Sequence, residues 1–165
     1  MAANAASYQK VCPDAVEFSD DTDIRAAVEA LGGEIYGTTF GKAYINNVVV
    51  GKDASGNVAG YVVSVTSGDG FEGNITLSVG IATDGTVNGI EFTELNETAG
   101  MGMLCGEDDF KNQFSGIQTD QFILNKAGGS TAENEIDTVS GASTSSGAVV
   151  NAVNAALDFY AANIK

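Results

Sequence analysis

The chain has no histidine and no tryptophan, and it contains one proline, two cysteines and only seven lysine or arginine residues in 165 positions. Without histidine the usual general base is missing, and so are the Ser-His-Asp and Cys-His arrangements and every histidine-ligated metal site. Two cysteines are too few to hold an iron–sulfur cluster. We therefore predict no catalytic residues and no metal site.

The charge of the chain is strongly one-sided. Its 22 acidic residues give a formal net charge of −15 at pH 7. Such a surface repels nucleic acid and anionic lipid headgroups, so we predict neither as a direct partner. The chain has no run of about 18 apolar residues, and residues 1–4 lack the basic and apolar parts of a signal peptide. It is either cytosolic or the part of a longer protein that lies outside its membrane anchor.

The two cysteines, Cys12 and Cys105, lie far apart in the sequence and belong to no recognisable motif. They form one disulfide if the compartment is oxidising, or else they are two buried thiols. The sequence leaves both alternatives open, and we favour the thiols.

Hydrophobic spacing predicts one α+β domain. Residues 1–10 are expected to be a flexible tail or chain start, and residues 11–165 a single domain large enough to bury a core. A first helix follows the acidic segment 19–23 and ends at Gly32 and Gly33. The remaining elements are strands over residues 43–50, 58–66, 74–82 and 87–95, helices over 107–114 and 146–162, and an irregular stretch over 128–135. The predicted fold is an antiparallel β-meander sheet with flanking helices and a long C-terminal helix.

A hydroxyl-rich segment, residues 137–145, comes directly before the last predicted helix. The first N–H groups of a helix have no partner within it, and the helix dipole makes that end positive, so such a turn suits a phosphate. Because the chain has few cations, backbone amides and hydroxyls would have to hold that phosphate. The alternative is an ordinary helix N-cap.

Several segments occur in an order that is informative as a set. They are Gly60-Tyr61, Gly-Phe-Glu-Gly at 70–73, Val-Gly-Ile at 79–81, Asp84-Gly85, Gly89-Ile90, Glu-Thr-Ala-Gly-Met-Gly at 97–102, Phe110 with Gln113-Phe114, and Asp-x-x-Ser-Gly-Ala-Ser at 137–143. Over residues 43–162 this series resembles the FMN-binding domain of the RnfG and NqrC electron-transport subunits. In that family the loop is commonly Glu-Thr-Pro-Gly-Leu-Gly, and the last motif usually ends in threonine.

The resemblance implies an FMN joined through its phosphate to the last residue of the second motif, which is Ser143 here. Serine replaces the commoner threonine, but its hydroxyl is chemically competent, and Thr144 remains the alternative acceptor. The residues implied to hold the phosphate are Ser140, Gly141, Ala142, Thr144 and Ser145. Asp137 is implied to be recognised by the enzyme that attaches the flavin, with a turn or capping aspartate as the alternative.

The loop motif and the 70–73 turn are implied to surround the flavin. The implied contacts are Glu97 and Thr98 to the ribityl chain or ring, Gly100 and Gly102 through close backbone approach, Met101 against the ring, and Phe71 in a wall of the site. Ala99 stands where proline is usual, which loosens the loop. Ordinary alternatives are a solvated carboxylate for Glu97, turn glycines with positive φ, a hairpin turn around Phe71, and a purely core role for Phe110 and Phe114.

The function implied by the resemblance is that of an electron-carrying subunit rather than a stand-alone catalyst. Its FMN would relay electrons within a membrane complex of the Rnf or Nqr type that is coupled to ion transport. The implied partners are the other subunits and the flavin-attaching transferase, and the implied location is the extracytoplasmic face of the membrane, through an anchor outside this chain. Made without its attaching enzyme, the chain is expected to lack FMN or to hold it loosely.

Two other functions stay open. The chain could be the flavin-carrying domain of a secreted or cell-surface reductase, which a fused dehydrogenase domain in the full-length gene would indicate. It could also be a non-redox ligand-binding module of the same fold that has lost the cofactor.

Overall fold

The computed structural model of the protein describes residues 8–37, 39–70, 73–95, 105–126, 129, 132–139 and 142–164. In chain order the elements are α1 (residues 8–11), β1 (Glu17–Ser19), α2 (Thr22–Glu29), β2 (Ala43–Lys52), β3 (Val58–Ser67), β4 (Ile75–Ala82), β5 (Thr86–Leu95), α3 (Asp108–Lys111) followed by the 3₁₀ turn Asn112–Phe114, β6 (Ile117–Gln118), β7 (Ile123–Asn125), β8 (Glu135–Asp137) and α4 (Ser143–Asn163).

Strands β1 to β6 form one antiparallel sheet in which each strand lies beside the next one in the chain. The predicted meander is therefore confirmed, and the four predicted strands are β2 to β5. Gly56 and Gly85 have φ of 83° and 90° in the turns that join them, a conformation that favours glycine. The edge strands β1 and β6 were not predicted, because two or three residues are too few to show a periodicity.

The inner face of the sheet carries the main core. Leu77, Val79 and Ile81 alternate along β4 and are fully buried there. Helix α4 packs across β2, β3 and β4 and also contacts β7, so most of its residues from Ser145 to Tyr160 are buried. A helix buried on most sides lacks the polar face of a surface helix, which explains its apolar sequence.

Helix α2 is capped by the predicted acidic segment, but it ends at Glu29, three residues before Gly32. The carboxylate of Asp21 accepts hydrogen bonds from the N–H groups of Asp23 and Ile24 at 3.0 and 3.1 Å, which caps the first turn. After the helix, Gly32 and Gly33 have φ of 63° and 73°.

The outer face of the sheet is covered by the start of the chain. Val11, Cys12 and Ala15 pack against Val49 and Val62. A Cβ on Gly80 would overlap the carbonyl oxygen of Val11, so glycine is what allows this close approach.

The predicted flexible tail is too long. Residues 8–11 are helical and Tyr8 is buried, so the packed structure begins at least three residues before residue 11. Residues 1–7 lie outside the described residues.

Neither cysteine forms a disulfide, and the two are buried on opposite faces of the sheet. Burial, and to a lesser extent the nearby carboxylate of Asp14, raises the pKa of the Cys12 thiol. A protonated, buried thiol is unreactive. The interpretation as two thiols agrees with the structure, because the sheet separates Cys12 from Cys105.

The predicted helices toward the C-terminus need correction. The helix expected over 107–114 is α3 followed by a 3₁₀ turn. Helix α4 begins at Ser143, three residues before the predicted start, because small hydroxyl residues are typical of caps and hid the first turn. The stretch expected to be irregular contains the start of β8, which pairs in parallel with β7.

We predict that Gly80→Ala lowers the free energy of unfolding by about 1–3 kcal/mol, because the new methyl group forces α1 away from the sheet. Urea titration of both proteins measures this change. The control is Gly73→Ala, where a Cβ meets nothing within 4 Å, so stability should change by less than about 0.5 kcal/mol. Equal stabilities of Gly80→Ala and the parent would contradict the packing described here.

We predict that stability falls in alkaline solution through Tyr36. Its hydroxyl donates a 2.6 Å hydrogen bond to Oδ2 of Asp158 on α4. Burial and then this carboxylate raise the pKa of Tyr36 above its ordinary value of about 10. The resulting stabilisation is complete below the unfolded-state pKa and is lost as pH rises through the folded-state pKa.

Urea titrations at about pH 7 and about pH 11 test this contribution of Tyr36. Tyr36→Phe should be less stable than the parent at the lower pH and should lose less stability between the two. A parent and variant that decline by the same amount would rule out the Tyr36 contribution.

Candidate functional site

One end of the sheet gathers the ends of four strands. Ser67 at the end of β3 pairs with Ala43 and Ile75, which begin β2 and β4. Ile75 in turn pairs with Leu95, which ends β5. The loop that follows β3 and the first turn of α4 line one groove, so Ser143 lies at this same end.

The first turn of α4 receives no cap from the side chain of its own N-cap residue. Its N-cap residue is Ala142, which has no side-chain oxygen to cap the helix, and no side-chain cap is formed. Ser143 and Thr144 are exposed, whereas Ser145 is buried. The N–H of Ala142 donates to the carbonyl of Val139 at 2.9 Å, so this predicted phosphate donor is already used in a turn.

The groove beside Ser143 has a volume of about 590 Å³, within the range of small-molecule sites. Its lining includes Asp69, Phe122, Ile123, Leu124, Lys126, Ser143, Thr144, Gly147 and Asn151. Ile123 is 52% exposed and gives the groove an accessible apolar side chain. The groove thus combines an apolar wall, two hydroxyls and, among the described lining residues, one lysine.

The groove wall is fixed from inside by Asn154 of α4. Its Oδ1 accepts from the N–H of Phe122 at 2.7 Å, and its Nδ2 donates to the carbonyl of Phe122 at 2.9 Å. A buried amide satisfied in this way holds the chain before β7 against the helix. Sequence reasoning missed Asn154, Ile123 and Lys126, although an asparagine within the apolar stripe of α4 was an available signal.

The segment that leads to Ser143 is held by two side chains. Gln113 Oε1 accepts from the N–H of Asp137 at 2.7 Å, and its Nε2 donates to the Asp137 carbonyl at 3.1 Å. Ser146 Oγ accepts from the N–H of Val139 at 3.0 Å and donates to the carbonyl of Ala142 at 2.8 Å. The backbone is therefore fixed on both sides of residues 140–141.

Asp137 and Ser143 border different grooves. Asp137, Thr138 and Val139 line a second groove of about 440 Å³, together with residues of α3 and its flanks. The structure thus groups Ser143 with Thr144 and does not place Asp137 in the same groove. The role of Asp137 in recognition by an attaching enzyme stays a prediction.

Many of the predicted contact residues fall outside the part of the chain that the structure describes. They are Phe71, Glu97, Thr98, Gly100, Met101, Gly102, Ser140 and Gly141. Their described neighbours do reach this end of the sheet: Gly70 and Gly73 lie between β3 and β4, and the sulfur of Cys105 is 3.7 Å from Ser146 Oγ. The roles of these eight residues stay predictions.

Phe110 and Phe114 are buried, as a core role requires. Their ring centroids are 5.6 Å apart, and Phe114 is 5.0 Å from Phe122, so these aromatic rings join the walls of the two grooves. Among the described residues, no helix is both long and apolar enough to cross a membrane, and no cluster of histidine, cysteine or acidic side chains is suited to a metal ion.

Comparison with known proteins identifies relatives of the chain. A family model for the FMN-binding domain matches residues 70–158, which is more than half of the chain. The G component of the ion-translocating oxidoreductase complex of Methanosarcina acetivorans is 39% identical over 113 residues, covering 68% of this chain and 57% of that protein. The G component of the Na(+)-translocating ferredoxin:NAD(+) oxidoreductase complex of Acetobacterium woodii is 29% identical over 161 residues, covering 95% of this chain and 73% of that protein.

Solved structures confirm the α+β fold. The C component of the Na(+)-translocating NADH-quinone reductase of Parabacteroides distasonis has a TM-score of 0.58 at 24% identity, covering 69% of this chain and 60% of that one. NqrC of Shewanella oneidensis has a TM-score of 0.56 at 22% identity, covering 92% of this chain and 69% of that one.

The chain spans 57% of the length of its Methanosarcina relative, so it corresponds to only part of that protein. The match over residues 70–158 nevertheless includes both motifs on which the resemblance was based. The chain belongs to the FMN-binding domain family, as its sequence motifs predicted.

Proposed function

We propose that this domain carries FMN as a phosphoester on Ser143 and relays electrons within an ion-translocating complex of the Rnf or Nqr type. One observation carries the attachment site: an exposed serine hydroxyl stands in the first turn of a helix whose N-cap residue is an alanine, beside a groove large enough for a ligand. FMN, when bound, supplies the electron-transfer chemistry, and the protein binds and orients it.

The residues around Ser143 fit a phosphate group. At most helix starts a serine, threonine or aspartate oxygen accepts from the first N–H groups. Ala142 cannot do so, and a phosphate oxygen joined to Ser143 would take that place at the positive end of the helix dipole. Lys126 lines the same groove and adds a positive charge in a chain whose formal net charge is −15.

The apolar wall fits the other part of the cofactor. Ile123 and Leu124 line the groove next to the two exposed hydroxyls, and an apolar surface suits a flat ring system. Gly147, one turn into α4, lines the helix side of the same groove.

The physiological setting is proposed from the relatives. Two of them are G components of ion-translocating oxidoreductase complexes. We accordingly propose that the partners of this domain are the other subunits of such a complex. A flavin-attaching transferase would load it with FMN, and its location would be the extracytoplasmic face of the membrane. Its acidic surface favours electropositive docking surfaces on those partners.

The attachment site is tested by incubating the purified chain with FAD, Mg²⁺ and the flavin-attaching transferase. We expect the parent chain to gain the mass of one FMN less one water, and Ser143→Ala to gain nothing, because the acceptor oxygen is gone. Ser143→Thr should accept the flavin, since it keeps a hydroxyl at the same position. Intact mass and peptide mapping measure the outcome.

Thr144→Ala serves as the neighbouring control. It should still reach full loading, because it removes only the alternative acceptor. Flavin retained on Ser143→Ala and lost from Thr144→Ala would move the attachment to Thr144. A parent chain that never gains flavin would instead favour the non-redox module.

A further inference from the structure

We propose that Gln113 and Ser146 are positioning residues that present the attachment segment, residues 137–143, to the flavin-attaching enzyme. This inference rests on the proposed attachment at Ser143. Neither residue is assigned a contact with the flavin, so neither is a catalytic residue.

Gln113 fixes the start of the attachment segment. Its side-chain amide forms two hydrogen bonds with the backbone of Asp137, through the N–H at 2.7 Å and the carbonyl at 3.1 Å. Gln113 lies in the 3₁₀ turn between Phe110 and Phe114, and both phenylalanines are buried in the core. The glutamine is therefore mounted on a rigid element, and it transmits that rigidity to Asp137.

Ser146 fixes the end of the segment. Its fully buried hydroxyl joins the N–H of Val139, at 3.0 Å, to the carbonyl of Ala142, at 2.8 Å. Ser146 is itself in the first turn of α4, and its N–H also donates to Ala142 at 2.9 Å. The residue directly before Ser143 is thus held to the helix by two bonds from one serine.

These bonds matter because the attachment reaction needs an oriented hydroxyl. The Ser143 oxygen attacks the phosphorus of the FMN half of FAD, and a new O–P bond forms. The P–O bond of the pyrophosphate breaks, AMP leaves with the bridging oxygen, and the hydroxyl proton passes to a base of the transferase or to solvent. A misplacement of about 1 Å in such a reaction costs on the order of 100-fold in rate.

Loss of the two Gln113 bonds removes the link between Asp137 and the 3₁₀ turn. The pairing of β8 with β7 then remains to hold this end of the segment. A residue needed only for folding would change the stability of the domain. A positioning residue should instead change the rate at which a fully folded domain is flavinylated. The rate of flavin transfer, measured at increasing concentrations of the folded acceptor domain, separates a folding role from a positioning role.

The experiment compares Gln113→Met and Ser146→Ala with the parent chain, using transferase, FAD and Mg²⁺, at a temperature where urea titration shows each variant to be folded. We expect kcat for flavin transfer to fall at least about tenfold in both variants, with a smaller change in KM, because the acceptor is bound but poorly oriented. Gln113→Glu keeps an acceptor for the Asp137 N–H and should give an intermediate kcat.

Gln118→Met is the matched control. Gln118 also donates from its side-chain amide to a backbone carbonyl, that of Asp84 at 2.6 Å. This bond lies by Tyr160, about 25 Å along α4 from Ser143. Gln118→Met should therefore be flavinylated at the parent rate.

The outcomes separate this inference from the attachment site. If Ser143 is flavinylated in the parent and both Gln113→Met and Ser146→Ala reach the parent kcat, the positioning role is refuted while the attachment stands. An equal loss of kcat in Gln118→Met would also refute it, since the effect would then be general. If Ser146→Ala does not fold, Gln113→Met alone decides. Absence of flavin from the parent would overturn the proposed function itself.

Discussion

The packing of α4 against the inner face of the sheet is the interaction on which the other features depend. The helix crosses β2, β3 and β4, and its buried residues extend from Ser145 to Tyr160. Because the helix is held along its length, its first turn has one position, at the sheet end where β3 and β5 finish. Burial of apolar area is a non-directional driving force, yet here it positions a polar feature, the start of α4 with the hydroxyl of Ser143.

Around this packed helix, side-chain amides and a hydroxyl hold the backbone between and at the ends of short elements. Asn154 holds Phe122, Gln113 holds Asp137, and Ser146 joins Val139 to Ala142. Each uses both a donor and an acceptor, so backbone groups that the helices and strands leave unpaired at these places are satisfied. Because the backbone on either side of Ser143 is already held in place, less conformational entropy is lost when a ligand or an enzyme binds there.

Charge explains why such a site would rely on backbone. The chain has few cations, and Lys126 is the lysine among the described residues of the groove beside Ser143. A helix start offers partial positive charge without a basic side chain. Ala142 at the N-cap keeps that charge available, whereas a serine or aspartate there would satisfy it internally.

The sequence by itself determined the meander, the apolar last helix and the family, because alternating β-branched residues, turn glycines and ordered motifs are local signals. It missed α1, β1 and the β7–β8 pair, since elements this short form only when long-range contacts stabilise them. Only the tertiary structure decided that Ser143 borders a groove with Ile123 and Lys126, and that Asp137 lies in another, with Gln113 as its partner. These contacts join residues distant in the chain, and no local pattern encodes them.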